Sequence, residues 1–346
     1  MYLQRNYLQG EVLETIYLGG GTPSLLDKEQ LELLFNTIHK NFRVNPGAEV
    51  TIEVNPDDLT NEKLALLRGE GVNRLSVGIQ SFSDDVLRFF HRAHSSREAL
   101  ETYGRARSAG FENISIDLIY GVPIASPTTW HDDLKRAIEL NPEHISTYSL
   151  TIEEKTVFGK WHATGKLQAT EEEIVAQQFE WLMVEMEKAG YRHYEISNFA
   201  KPGFESQHNS SYWKQRKYLG IGPSAHSFDG TSRQYNIRNN ALYVKAITND
   251  SVPFEREVLS DANKVNEYLL TTLRTSWGCD TVWLKNTLQF EWTDEQRLYL
   301  DKIIQNGLAE LSETHLVLTR KGKLLADKIA SDLFVDDDFK LANFRP

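Results

Sequence analysis

The chain has 346 residues, a net charge of −11 and an ordinary globular composition, 40% hydrophobic and 25% charged, which suits one large α/β domain with a smaller appendage. The acidic balance argues against nucleic acid as a partner, because such binding rests on Lys/Arg contacts to phosphate. No stretch approaches about 18 consecutive apolar residues, so no transmembrane segment is expected and transient membrane association stays open.

The N-terminus lacks the basic-then-apolar order of a secretory signal. The single cysteine, Cys279, excludes a disulfide framework and a self-sufficient iron–sulfur site. It suits a reducing cytosol, and hence a cytoplasmic protein, and reads as a small buried residue.

In chain order, β-branched runs predict strands at 15–19, 50–55, 74–80, 114–121 and 145–151. Amphipathic stretches between them predict helices at 27–41, 60–69, 83–91, 96–109 and 128–139, with Asp27 and Ser95 or Ser96 as N-caps. Repeated βα units of this kind curl into a barrel or spread into an open doubly wound sheet. A longer helix is expected over 171–189.

The stretch after it, 191–229, is aromatic, rich in Gly, Ser and Asn, and weakly periodic. The C-terminal order of helix, helix, hairpin over 308–318, then helix reads as a winged-helix-like module. Its acidic setting favours a structural or partner-docking role over DNA. The domains expected are 1–190, 191–253 and 254–346.

In parallel sheets ligands bind beyond the carboxyl ends of the strands. The first strand ends in Gly19-Gly20-Gly21-Thr22, where glycines allow close backbone approach. Glu53 and Asp117 are carboxylates within apolar strands, Gln80 closes the third strand, and Arg92 follows one helix later. Singly, each carboxylate is most simply a paired structural group. Together the set suits a zwitterion attached to a sugar: Arg forks a carboxylate, and acids take ammonium and ribose hydroxyls. The run His208-Asn209-Ser210-Ser211-Tyr212-Trp213 is by itself most simply a loop with one satisfied histidine. Its alternative is a haem site, in which the imidazole ligates iron and the aromatics pack on the porphyrin.

The ordered motifs GGGTPS, TIEVNPDDLT, RLSVGIQSF, HRAHS and IDLIYGVP resemble the radical S-adenosylmethionine (SAM) proteins related to oxygen-independent coproporphyrinogen III oxidase. HNSSYW resembles the HNxxYW haem-binding motif of their haem chaperone branch, HemW. The resemblance spans essentially the whole chain. It implies a partial (β/α)6 barrel holding SAM against a 4Fe–4S cluster. Gly20, Gly21 and Thr22 would then meet the methionine amino group, Glu53 and Arg92 the methionyl end, Gln80 and Asp117 the ribose, and residues near Leu150 and Thr151 the adenine.

His208 becomes the haem-iron ligand in this reading, with Asn209, Tyr212 and Trp213 shaping its site. One departure is severe: the family's CxxxCxxC loop after the first barrel strand is absent from this sequence. The expectation is an N-terminally truncated form lacking the first βα unit, with an uncovered edge strand and no catalytic residues assigned. The leading function is a haem chaperone that delivers haem to an acceptor protein. The alternatives are a coproporphyrinogen III oxidase-like radical SAM oxidoreductase in porphyrin biosynthesis and a non-enzymatic adaptor.

Overall fold

The computed structural model describes residues 1–126, 128–336 and 339. The five strands expected from the sequence form as β1 (Leu13–Leu18), β2 (Val44–Val54), β3 (Arg74–Gln80), β4 (Ile114–Tyr120) and β5 (His144–Ser149). The helices between them are α1 (Lys28–Asn41), α2 (Asn61–Gly69), α3 (Asp84–Phe89), α4 (Ser96–Ser108) and α5 (Thr129–Leu140). After β5 come a short helix α6 (Val157–Ala163), the long α7 (Glu172–Lys188), and two strands, β6 (Arg192–Glu195) and β7 (Asn198–Ala200). The curled sheet runs β1-β2-β3-β4-β5-β7-β6. Strands β2 to β5 pair in parallel, while β7 runs antiparallel to both β5 and β6. The result is a partial barrel of the radical SAM type, as the motifs imply. The β6–β7 hairpin was not legible, because YRHYEISNFA lacks the flanking turn signals that mark short strands.

Strand alternation sorts this sheet into two unlike faces. Ile52, Leu75, Val77, Ile114, Ile116 and Ile145 are wholly buried on one face. The other face carries Glu49, Thr51, Glu53, Arg74, Ser76, Ser115, Asp117, His144 and Ser146. A parallel sheet covered on both sides usually reads as a continuous apolar run, so a polar inner face marks where a ligand belongs.

Ser95 caps α4 in a full capping box. Its hydroxyl accepts from the Glu98 N–H, and the Glu98 carboxylate accepts from the Ser95 N–H at 2.7 Å. Ser95→Ala is expected to destabilise the protein by about 1 kcal/mol, read as a lower urea midpoint with unchanged slope.

Backbone contacts divide the chain into two units, one built on residues 15–33 and 48–206, the other on 1–14, 34–47 and from 207 onward. The second unit holds α8 (Gln207–Trp213), a three-stranded sheet of β8 (His226–Phe228), β9 (Ser232–Asn236) and β10 (Phe254–Val258), and the helix α9 (Asn240–Thr248). It continues with α10 (Asp261–Leu273), β11 (Cys279–Asp280), α11 (Thr281–Leu288), α12 (Asp294–Gln305), β12 (Ala309–Leu311), β13 (His315–Leu318), α13 (Arg320–Lys323) and α14 (Ala326–Asp332). Strands β11, β13 and β12 form one antiparallel sheet, giving the winged-helix-like module with its hairpin where the sequence placed it. Cys279 is fully buried there with its thiol free of any disulfide, and burial pushes it up to about 12.

Candidate functional site

The glycine turn and Glu53 form one piece of structure. Gly20 and Gly21 adopt φ of +75° and +64°, and the Gly20 N–H donates to Glu53 Oε2 at 3.1 Å. A Cβ on Gly19 would lie 2.8 Å from Glu53 Oε1, so glycine there lets the turn close over the carboxylate without displacing it. The Tyr17 hydroxyl donates to Glu53 Oε1 at 2.7 Å from the same strand face. Burial and the Glu53 charge hold the Tyr17 phenol far above its usual pKa, so it stays a neutral donor.

The end of β3 is held from three sides. Arg92 donates to Asn55 Oδ1 at 2.7 Å and to the Gly78 carbonyl at 3.0 Å. His94 Nε2 lies 3.1 Å from the Ile79 carbonyl. Buried Asp133 accepts from the Ser81 hydroxyl at 2.5 Å and the Phe82 N–H at 2.7 Å. Between these braces Gln80 sits at φ +70°, beside a register shift in the β3–β4 ladder. A non-glycine residue there is strained, and such strain concentrates where side chains must be aimed. Gly78 clears the space, since a Cβ would meet Gln80 Nε2 at 2.8 Å and Arg92 Nη2 at 3.3 Å.

Asp117 faces the same side. Its carboxylate lies 3.3 Å from the Ser76 hydroxyl, and burial pushes it up to about 6, opposed by the Ser146 hydroxyl and the Arg74 charge. Against an ordinary value of 3.8, the folded protein holds a proton that the unfolded chain releases. Stability from this group is therefore greatest at low pH and declines as pH rises through about 6. Asp117→Asn is expected to stabilise the fold at pH 7.5 by on the order of 1–3 kcal/mol, a gain that shrinks at pH 5. Thermal melts at both pH values check it.

Below Asp117 the inner face is closed by buried polar groups. Arg74 is 2% exposed, its Nε 3.9 Å from Glu49 Oε2 and without a hydrogen-bond partner. His144 sits between the Ser115 and Tyr194 hydroxyls, each at 2.8 Å, and burial keeps its imidazole neutral at physiological pH. Tyr148, 45% exposed at the open end of β5, lies within electrostatic reach of Asp117.

In the other unit, HNSSYW forms helix α8 rather than part of an irregular stretch. Helical spacing puts His208 with Tyr212, and Asn209 with Trp213, each four residues apart on adjoining stripes. His208 Nε2 lies 2.9 Å from the Tyr212 hydroxyl, and the two rings meet edge to face at 5.0 Å. Tyr212 packs edge-on against Tyr218 at 4.7 Å. Arg233 donates to the Tyr218 hydroxyl at 3.1 Å and makes a bidentate pair with Glu267 of α10, at 2.9 and 2.6 Å. On the second stripe Trp213 lies under the Arg274 guanidinium at 5.7 Å, with its indole N–H buried and unpartnered. One stripe is thus anchored, while Tyr212 on the other is 39% exposed.

Residues 3–137 match the family model described as the Radical SAM superfamily. The chain is 36% identical to the haem chaperone HemW of Bacillus subtilis over 319 residues, covering 92% of this chain and 84% of that protein. It is 34% identical to the haem chaperone HemW of Lactococcus lactis, over 94% of this chain and 86% of that one. The chain belongs to the HemW family of radical SAM proteins. Its fold also superposes on coproporphyrinogen III oxidase (HemN) from Escherichia coli, a radical SAM enzyme, with a TM-score of 0.80, 25% identity and coverage of 96% of this chain and 82% of that one.

Within this HemW-family chain, one unit brings together Gly20, Gly21, Thr22, Glu53, Gln80, Arg92 and Asp117 at the strand ends. The other carries His208, Asn209, Tyr212 and Trp213 on one helix. Thr22 begins the turn after the glycines, and no bond from its side chain defines a role. Arg92, expected at a ligand carboxylate, uses Nη2 to brace β3. Tyr17, Arg74, His144 and Tyr148 were missed, although period-two spacing from Gly19, from Ser76 and, on either side, from Ser146 could have put each on the inner face.

A radical SAM cluster needs three cysteine thiolates, whereas this sequence carries one thiol. That thiol is buried in the winged-helix sheet and protonated at neutral pH. These residues do not fit a 4Fe–4S cluster. No helix among the described residues is long and apolar enough to cross a membrane.

Proposed function

We propose that this protein is a cytoplasmic haem chaperone, binding haem at α8 and passing it to an acceptor protein. The observation that carries this reading is the placement of His208 and Tyr212 on one helical stripe, in contact at 2.9 Å and backed by the Tyr218–Arg233–Glu267 chain. A ligand histidine needs a fixed ring, and the edge-to-face Tyr212 ring, itself packed on Tyr218, orients this one. Burial pushes the Tyr212 phenol up to about 12, so it is a neutral partner that can leave Nε2 to iron. Asn209 and Trp213 occupy the adjoining stripe, where the indole offers a flat apolar wall. The lone buried thiol and the acidic charge suit a reducing compartment without nucleic acid. Titrating the purified protein with hemin should give a saturable, shifted Soret band. A hemin spectrum identical with and without protein would overturn the reading.

The inner face of the partial barrel fits SAM in the same protein. Gly20, Gly21 and Thr22 would receive the methionine amino group together with Glu53, with Gln80 and Asp117 at the ribose. Arg92 would serve the methionyl end chiefly by holding β3 in shape. Bound SAM supplies radical chemistry only with a cluster, so the role derived from these residues is binding. Asp117, with its carboxyl at about 6, accepts ribose hydroxyls best when ionised.

A further inference from the structure

The three-stranded sheet of the second unit ends in an open strand. β10, Phe254-Glu255-Arg256-Glu257-Val258, lies at the edge beside β9, and all five of its residues are exposed. The ladder to β9 is bracketed by the Ile237 N–H donating to the Pro253 carbonyl and the Leu259 N–H donating to the Thr231 carbonyl. Alternate residues of an antiparallel strand turn their backbone groups to opposite sides. Glu255 and Glu257 therefore face β9, while Phe254, Arg256 and Val258 aim their N–H and C=O groups outward. Among the described residues nothing bonds those outward groups. Natural edges are blunted by bulges, prolines or inward charges, but this register runs unbroken from Phe254 to Val258, with Pro253 just outside it. Phe254 and Val258 are 44% and 73% exposed.

The charges along β10 decide what fits this edge. Arg256 is spent on Asp229 at 3.0 Å and on the Ser232 hydroxyl at 2.8 Å. Glu257 accepts from the Tyr235 hydroxyl at 2.8 Å, and among the described residues neither Glu255 nor Glu257 forms an ion pair. A second copy fits badly. Two β10 strands pairing antiparallel must set outward residues opposite outward ones, so every register that joins two or more of them puts glutamate opposite glutamate. Like charges directly opposite destabilise a pair. Toward a new antiparallel strand these glutamates also occupy the closely spaced, non-hydrogen-bonded positions, where a cation gains most. We propose that β10 takes up an extended segment of a partner polypeptide as an added antiparallel strand, with Lys or Arg at alternate positions to meet Glu255 and Glu257 and small apolar residues between them. In this mode main-chain bonds supply affinity and the alternating side chains supply selectivity. Directly across from Glu257, β9 carries Arg233, which bonds Tyr218, the ring on which Tyr212 of α8 packs. The added strand thus joins the sheet that backs α8, a placement that suits an acceptor protein, although the docking does not depend on haem being bound.

Fluorescence anisotropy with the full chain at pH 7.5 and low ionic strength tests this with two fluorescein-labelled peptides, TVKTKVT-amide and its acidic counterpart TVETEVT-amide. The wild type should bind the basic peptide saturably and at least about tenfold more tightly than the acidic one. Glu255→Lys combined with Glu257→Lys, both at exposed positions, should invert that preference. Val258→Pro keeps the ladder to β9, because the N–H it removes faces outward, and should weaken the basic peptide by about tenfold. No binding of the basic peptide by the wild type, or equal binding of both peptides, overturns the inference. Binding that Val258→Pro leaves unchanged also overturns it, since that marks attraction to the acidic surface at large. A wild-type dimer that Val258→Pro dissociates, read by sedimentation, gives the edge to a second copy and overturns it too. The charge-reversed variant decides the matter even if Val258→Pro fails to fold.

Discussion

His208→Ala is expected to lower haem affinity by about a hundredfold, because removing an iron ligand costs at least as much as removing the groups that orient one. Tyr212→Phe should cost far less, since it removes only the hydroxyl 2.9 Å from Nε2, the nitrogen iron would take, and keeps the ring that orients the imidazole against Tyr218. Hemin titrations followed at the Soret band give both numbers. The order is the discriminating outcome: equal, small losses at both positions would mean that haem sits on the protein without ligation by His208. Folding is not at stake in the comparison, since α8 is anchored through Trp213 and Ser210, which is buried, and neither is altered.

Arg74→Met is expected to cost about 3–5 kcal/mol of stability, because it removes the cation beside buried Glu49. Glu49 is 5% exposed and Arg74 2%, so water cannot replace either partner. The double variant Arg74→Met with Glu49→Met should recover most of the loss, as buried ion pairs are often replaceable by apolar groups of similar size. Urea unfolding of the four proteins in the cycle measures the coupling. A loss in the double variant equal to the sum of the two single losses would show that the pair is not coupled. The Arg74 charge also draws the Asp117 carboxyl down against the rise caused by burial, so the single variant should push Asp117 further above 6.

Much of the barrel was readable because its strands and helices obey local rules. Five apolar, β-branched runs end in Gly, Asn, Gln or polar turns, and the carboxyl-end rule alone put Glu53, Gln80, Arg92 and Asp117 on one rim. Glu195 and Asn198 were invisible by the same logic. They join the inner face only because β7 returns antiparallel beside β5, a pairing between residues some fifty positions apart that no local pattern encodes. Helix α8 escaped for a different reason: seven residues with two serines and no apolar stripe carry little helical signal. The spacing of His208 to Tyr212 and of Asn209 to Trp213 was nevertheless there to be read as one helical turn.

Cys279 makes this protein its own clock. The thiol pairs its backbone with Leu316, is shielded completely and is protonated at neutral pH. A thiol reagent added to the native protein can therefore react only during excursions that open the winged-helix sheet. With one thiol in 346 residues, the labelling rate of the purified protein reports the opening of that sheet alone.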